Sequence, residues 1–192
     1  MKKYFFAVVF ISLNIFPLFA RADLTKYSFD KEHTTILFFV NHLGFSEKIG
    51  KFTDYEGHFM FDEKNPKESS VELDIKPASI DTDSKALDKV LQGKDWFNTK
   101  KYPVMHFRSS QVKVTGKNTA DVIGWLTLLG KEKPVTLKVK FNKAGIHPMT
   151  KKSMAGFSID TTINRSNFGM INGVPFVSEN VRIHVEMEGM AE

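Results

Sequence analysis

The chain has 192 residues, carries 27 Lys and Arg against 22 Asp and Glu, and contains no cysteine. The lack of cysteine excludes a disulfide-stapled scaffold, a thiolate metal centre and a diacylated lipoprotein. The formal charge of +5 comes without a basic block or an aromatic–basic ladder, which argues against a nucleic-acid partner.

The first predicted element in chain order is a cleavable signal peptide over residues 1–22. Lys2 and Lys3 form a positive start, residues 4–13 an apolar run, and Ala20, Arg21 and Ala22 a small-x-small cleavage site. Asn14 and Pro17 interrupt that run before the roughly 18 apolar residues that a spanning helix needs. The mature part, residues 23–192, is therefore expected in the periplasm as one domain without a membrane anchor. The leader holds three of the 27 bases and none of the 22 acids, so the mature part has 24 bases to 22 acids.

Strand signals follow almost without a break. A short strand is predicted near 26–30, then longer ones over 34–42, 51–62 and 71–75. After residue 100 they recur over 104–114, 122–128, 135–141, 153–164 and 181–187. Each shows apolar residues at every second position, as in Val71, Leu73 and Ile75 or Val181, Ile183, Val185 and Met187, which is the signature of a half-buried antiparallel strand. Turn residues such as Asn65-Pro66 and the stretch 115–118 link neighbours as hairpins. One helical insertion is predicted over about 84–97, capped by Asp83 or Ser84 and broken at Gly93. No βα alternation appears. The predicted fold is all-β, a single antiparallel eight-stranded β-barrel, since closure removes exposed strand edges.

Such a barrel is just wide enough to be filled by side chains or to hold one small ligand. Phe38, Phe59, Phe61, Phe107, Phe141 and Phe157 share the apolar parity of their strands, and either a packed aromatic core or a lined lumen accommodates them. Leu37 and Phe39 fall on the outer face of the 34–42 strand. Apolar residues there need cover, from the helix or from a second copy in a homodimer.

Catalytic signals are missing. Residues 156–160 lack the second glycine of a nucleophile elbow, and Gly130-Lys131 has no glycine-rich approach to a phosphate. His33 and His42 match no compact metal-ligand spacing, while His58, His106 and His184 take solvent-facing parity, so neither a metal nor an enzyme is expected. His42 shares parity with Ile36, Phe38 and Val40 and is expected to point inward near a barrel end, towards a hydrogen-bond partner or a ligand's polar head. Arg165 continues the apolar parity of the 153–164 strand. A buried guanidinium needs partners, here Asp160 or Glu179, or a ligand head. Trp96 and Phe97 lie outside the strands, as a stopper at an apolar opening or as the dock of the helix.

The ordered strings carry a further signal. Tyr27, Asp30, His33, Ile36, Phe38, Val40, His42 and Gly44 open it, followed by Gly50, Phe52 and Gly57, then Ala78, Ile80, Asp81 and Thr82. It continues through Asp95, Trp96, Phe97 and Asn98, then Tyr102, Pro103, Phe107 and Ser109. Gly124, Leu126, Thr127, Gly130, Pro134 and Val135 come next, and Arg165, Ser166, Asn167, Phe168 and Gly169 end it. In that order they closely resemble the YceI-like family of bacterial periplasmic proteins, over nearly the whole mature chain. The resemblance implies a lipocalin-like barrel that takes a polyisoprenoid, an isoprenoid quinone or another long amphiphile, with no agreed catalytic residues. The chain departs from the family pattern at Val90, where His is common, and at Asn167, where an acid is usual; both bear on head-group preference.

The expected lumen is lined by Ile36, Phe38, Val40, Phe59, Phe61, Val71, Leu73, Phe107, Leu126 and Phe157. The candidates for its mouth or the ligand head are His42, Trp96, Phe97, Arg165 and Phe168. Burial at roughly 0.8 kcal/mol per CH₂ gives two isoprene units about 8 kcal/mol gross, and eight units about 30 kcal/mol, more than any observed affinity. Tunnel depth rather than affinity must then set tail length. The expected function is a periplasmic carrier or store for an isoprenoid lipid, with no cofactor besides that ligand. The rivals are an enzyme acting on a lipid head and a ligand-free structural or stress-response barrel.

Overall fold

The computed structural model describes residues 24–192, so the expected signal peptide over residues 1–22 lies outside the described residues. Period-two alternation produces long antiparallel strands here. They are β1 (Thr25–Phe29), β2 (Thr35–His42), β3 (Ser46–Phe52), β4 (Tyr55–Phe61), β5 (Ser70–Ile75) and β6 (Ile80–Asp81), then, after the helix α1 (Lys85–Leu91), β7 (Met105–Gly116), β8 (Thr119–Leu128), β9 (Lys131–Ile146), β10 (Ser153–Asn164) and β11 (Asn180–Ala191). The ring runs β1-β4-β5-β7-β8-β9-β10-β11, and β11 returns to β1 through Tyr27↔Ala191 and Phe29↔Gly189. Eight strands therefore close the barrel.

The other three strands prolong members of that ring. β2 continues the line of β1 along β11, with Phe38 opposite Ile183, while β3 pairs with β2 and β6 pairs with β3. The short strand predicted near 26–30 is a full member of the ring and forms its seam. The single strand predicted over 51–62 is instead broken at Thr53-Asp54, where both backbone N–H groups donate to the Ser79 hydroxyl at 3.2 and 2.9 Å. A side chain there replaces the ladder bonds. The helix is shorter than predicted. Ser84 caps it by accepting from Leu87 N, and past Leu91 the chain turns back, with the Gly93 carbonyl accepting from Trp96 N and Asn98 N.

Two buried clusters hold the barrel. One, at the end that carries α1, gathers Phe38, Phe52, Ile80, Met105, Phe168 and Met170 among others, with Leu91, Trp96 and Phe97 packed on it. The second joins Tyr27, Phe59, Phe61, Phe157 and Met187. In it the Phe157 ring stands edge-on to Phe61 at 5.1 Å and to Phe59 at 5.6 Å, the favoured aromatic geometry. Cross-strand glycines make room for such rings. A Cβ at Gly50 would fall within the Phe38 ring, and one at Gly189 within that of Phe59.

Tyr55 spans the break between β1 and β2 by donating its hydroxyl to the Thr34 carbonyl at 2.8 Å, a buried bond. Tyr55→Phe should lower stability by about 1 kcal/mol, read from the urea midpoint. An unmoved midpoint would show that the break is held by other contacts.

On the outer wall His184 lies between Asp160 at 2.8 Å and Glu186 at 3.0 Å. The hydrogen bond that its ring donates to Asp160 chiefly raises its pKa above the ordinary 6.5. A raised histidine contributes stability that is full below its unfolded pKa and lost as pH climbs through the folded one. His184→Gln should therefore destabilise the protein more at about pH 5.5 than at about pH 8.5. Equal losses at both pH values would refute the linkage.

Candidate functional site

Inward positions on the ring are apolar, yet many keep part of their surface uncovered. Val71, Leu73, Val139, Phe141, Ile159 and Val185 are all half-buried and all face one cavity of about 380 Å³. Residual exposure inside a barrel means that a side chain meets a void rather than another side chain. The volume lies within the roughly 300–1,000 Å³ of pockets that take small organic ligands. The charged residues on its lining are Glu63 and Lys117.

Of the ten residues expected on the lumen, Ile36, Phe59, Phe61, Val71, Leu73, Phe107, Leu126 and Phe157 line this cavity. Phe38 and Val40 do not. The Phe38 ring covers Gly50 and packs on Phe52 at 5.5 Å, and Val40 joins the same cluster at the helix-bearing end. The cavity also takes Val135, Leu137, Val139, Ile183 and Val185, whose alternation is visible in the sequence, Phe29 from the seam strand β1, and Tyr55, which opens β4 just past the Thr53-Asp54 break.

The two ends of the lumen differ. One is rimmed by Glu63, Pro66 and Ser69 and by the β7–β8 turn from Gly116 to Thr119. The other is closed. There Phe97 meets Phe52 edge-on at 5.7 Å, Phe168 is buried, and the Arg165 guanidinium lies 5.3 Å from the Trp96 ring. Trp96 and Phe97 thus floor the barrel and dock the segment after α1; they do not stopper its opening.

None of His42, Trp96, Phe97, Arg165 and Phe168 lines the cavity. His42 was expected to point inward, but β2 passes beyond the core before reaching it, and it is exposed beside the bridge to Val177. Arg165 is 2 % exposed and donates to three backbone carbonyls: Nε to Ser178 at 2.9 Å, and its terminal nitrogens to Met170 at 2.6 Å and Val177 at 2.8 Å. Neither expected carboxylate takes it up; Asp160 is hydrogen-bonded to His184. Burial pushes the Arg165 pKa down, and nearby Glu179 opposes that shift. Val90 and Asn167, the departures from the family pattern, are both exposed and off the cavity wall. Phe39, expected to need cover from the helix or a partner, lies under the Arg182 guanidinium at 3.5 Å.

A hollow of about 430 Å³ outside the closed end is lined by Lys94, Asp95, Asn98 and Lys131 among others, and shares no residue with the lumen. Asp30, His33 and Glu188 bring ligand-type atoms within 4.8 Å of one another at the β1–β2 break. His33 is hydrogen-bonded to Asp30 at 2.9 Å, which raises the histidine's pKa and lowers that of the carboxyl. This pair secures a turn outside the lumen.

Residues 27–189 match the family model described as the YceI-like domain. A UPF0312 protein of Pseudomonas putida (strain W619) is 38% identical over 174 residues, 90% of each chain. Among solved structures, BcnA of Burkholderia cenocepacia superposes with a TM-score of 0.76 at 26% identity, covering 83% of this chain and 98% of that one. A polyisoprenoid-binding domain from Saccharophagus degradans gives a TM-score of 0.66 over 86% of this chain and 98% of its own; at 13% identity that likeness is one of fold.

Proposed function

The chain belongs to the YceI-like family, and on that premise we propose that it binds a polyisoprenoid lipid or isoprenoid quinone in the barrel lumen and carries or stores it in the periplasm. One observation bears most of the weight: inward apolar side chains left half-covered around a cavity of about 380 Å³. A barrel stabilised by its core alone would gain from filling that space, because uncovered apolar surface forgoes about 25 cal/mol per Å². A long apolar chain restores that burial.

The wall also argues for binding over turnover. General acid–base or nucleophilic chemistry needs a titratable or activated group beside the reacting atoms. The charged members of this lining, Glu63 and Lys117, belong to the rim segments. A ligand would enter tail first, press its chain against Phe59, Phe107 and Phe157, and leave its polar head at the rim. The polyisoprenoid-binding domain of the same fold and the predicted signal peptide point the same way.

Solvent extraction of protein purified from its native envelope, followed by mass spectrometry, tests the reading. A prenyl lipid recovered unchanged, near one per barrel, is the expected result. A folded protein that yields no lipid and takes up none from a panel of prenols and quinones would overturn it.

A further inference from the structure

The open end of the barrel has a shape and charge of its own. Pairing between β8 and β9 ends at Thr119↔Lys140, but β9 runs on to Ile146, where it pairs with Ser153 of β10. The β9–β10 ribbon therefore overhangs the β7–β8 turn at the lumen rim by roughly 20 Å of strand, at about 3.3 Å per residue. Its tip is built to hold one shape. His147 Nδ1 accepts from the backbone N–H of Met149 at 3.3 Å and of Thr150 at 3.0 Å, and His147 N donates to the Lys152 carbonyl at 2.8 Å. That tip presents Met149 at 82% exposure and Ile146 at 63%.

Charge is concentrated on the same elements. Residues 113–118 and 143–152 hold Lys113, Lys117, Lys143, Lys151 and Lys152 and no acid, although the mature chain has nearly equal numbers of bases and acids. None of these five lysines is ion-paired among the described residues. Exposed apolar side chains at a rigid tip, flanked by unpaired lysines, are the combination that seats on an anionic bilayer. We propose that the overhanging β9–β10 ribbon and the adjacent β7–β8 turn dock the open end of the barrel on an anionic phospholipid surface, so that the lumen mouth faces the membrane. This rests on the lipid-binding reading of the lumen and adds the surface from which the ligand is exchanged.

The closed end also shows apolar side chains, Phe45 and Phe176 among them, but they lie beyond the Trp96 and Phe97 floor and offer the ligand no opening.

Flotation of the intact protein with vesicles decides the matter. Binding is expected to vesicles of phosphatidylethanolamine with phosphatidylglycerol and not to phosphatidylcholine alone, and it should weaken with salt. Lys151→Ala with Lys152→Ala should cut binding about 25-fold, about fivefold per lysine. Ile146→Ser with Met149→Asp should abolish it. Melting temperature, and uptake of a prenol supplied in detergent solution, should stay at wild-type levels in these variants. Loss of vesicle binding in Phe45→Ser with Phe176→Ser, but not in the ribbon variants, would overturn the proposal. So would equal binding to both vesicle types, or a ribbon that only pairs two copies of the chain. Recovered lipid without vesicle binding would sink the docking surface and leave the lumen reading intact; vesicle binding without recovered lipid would do the reverse.

Discussion

Leu126→Trp is expected to deplete the lumen of lipid by more than tenfold while the barrel stays folded. Leu126 lies on the cavity wall opposite Phe107, and its inward side meets open space. An indole there projects into that space, so the added volume meets less resistance than the overpacking of a filled core, which typically costs about 1–3 kcal/mol. Excluding only two methylenes of a bound chain loses about 1.6 kcal/mol of burial, already above tenfold in affinity. Lipid extracted per mole of protein, measured beside the melting temperature, gives the answer. A stable Leu126→Trp protein with wild-type lipid content would refute the lumen as the ligand site.

Arg165→Met is expected to cost about 3–5 kcal/mol of stability, since three buried carbonyls lose their donor at about 1–3 kcal/mol each, partly offset by no longer burying the guanidinium. The carbonyls of Met170, Val177 and Ser178 would each lose a donor inside the closed end. At about 2–4 °C per kcal/mol for a domain of this size, the melting temperature should fall by roughly 10 °C. The ligand preference of whatever folded fraction remains should not change, because Arg165 is off the cavity wall. A wild-type melting temperature combined with altered lipid selection would reverse that assignment and make Arg165 a head-group contact.

Arg165 also illustrates what one-dimensional pattern can and cannot convey. Parity pointed its side chain inward and it is buried, but Arg165 opens a 3-10 turn past the end of β10, and parity has no depth coordinate. A period of two says which face of a strand looks inward and not whether that stretch looks onto a void or a plug. For this reason Phe59, Phe107 and Phe157 line the cavity while Phe38, on the same kind of position, packs against Phe52. His42 fails similarly, because the strand had already left the core when the alternation reached it. The break at Thr53-Asp54 was out of reach for another reason: the hydroxyl that replaces the ladder belongs to Ser79, 26 residues on from Thr53. Which end of the barrel opens depends on where the turn after Gly93 carries Trp96 and Phe97, and that is a matter of tertiary contact. The hairpins from β7 to β11 rest on local signals and could be read directly, whereas the pairings of β1 with β4 and β11 that close the ring join distant parts of the sequence and could not.

The seam between β1 and β11 has a kinetic consequence. Ser28 and Glu192 are hydrogen-bonded at 2.7 Å although 164 positions separate them, and Tyr27 lies opposite Ala191. Each hairpin from β7 to β11 can zip as soon as its two strands exist, because its contacts are local. The seam cannot form until nearly the whole sequence has emerged, and long-range pairing of this kind slows folding by raising contact order. Before that step both seam strands are unpaired edges, open to pairing with another chain. A chain delivered from one end in an extended state thus spends its most aggregation-prone interval waiting for a single antiparallel contact between its two ends.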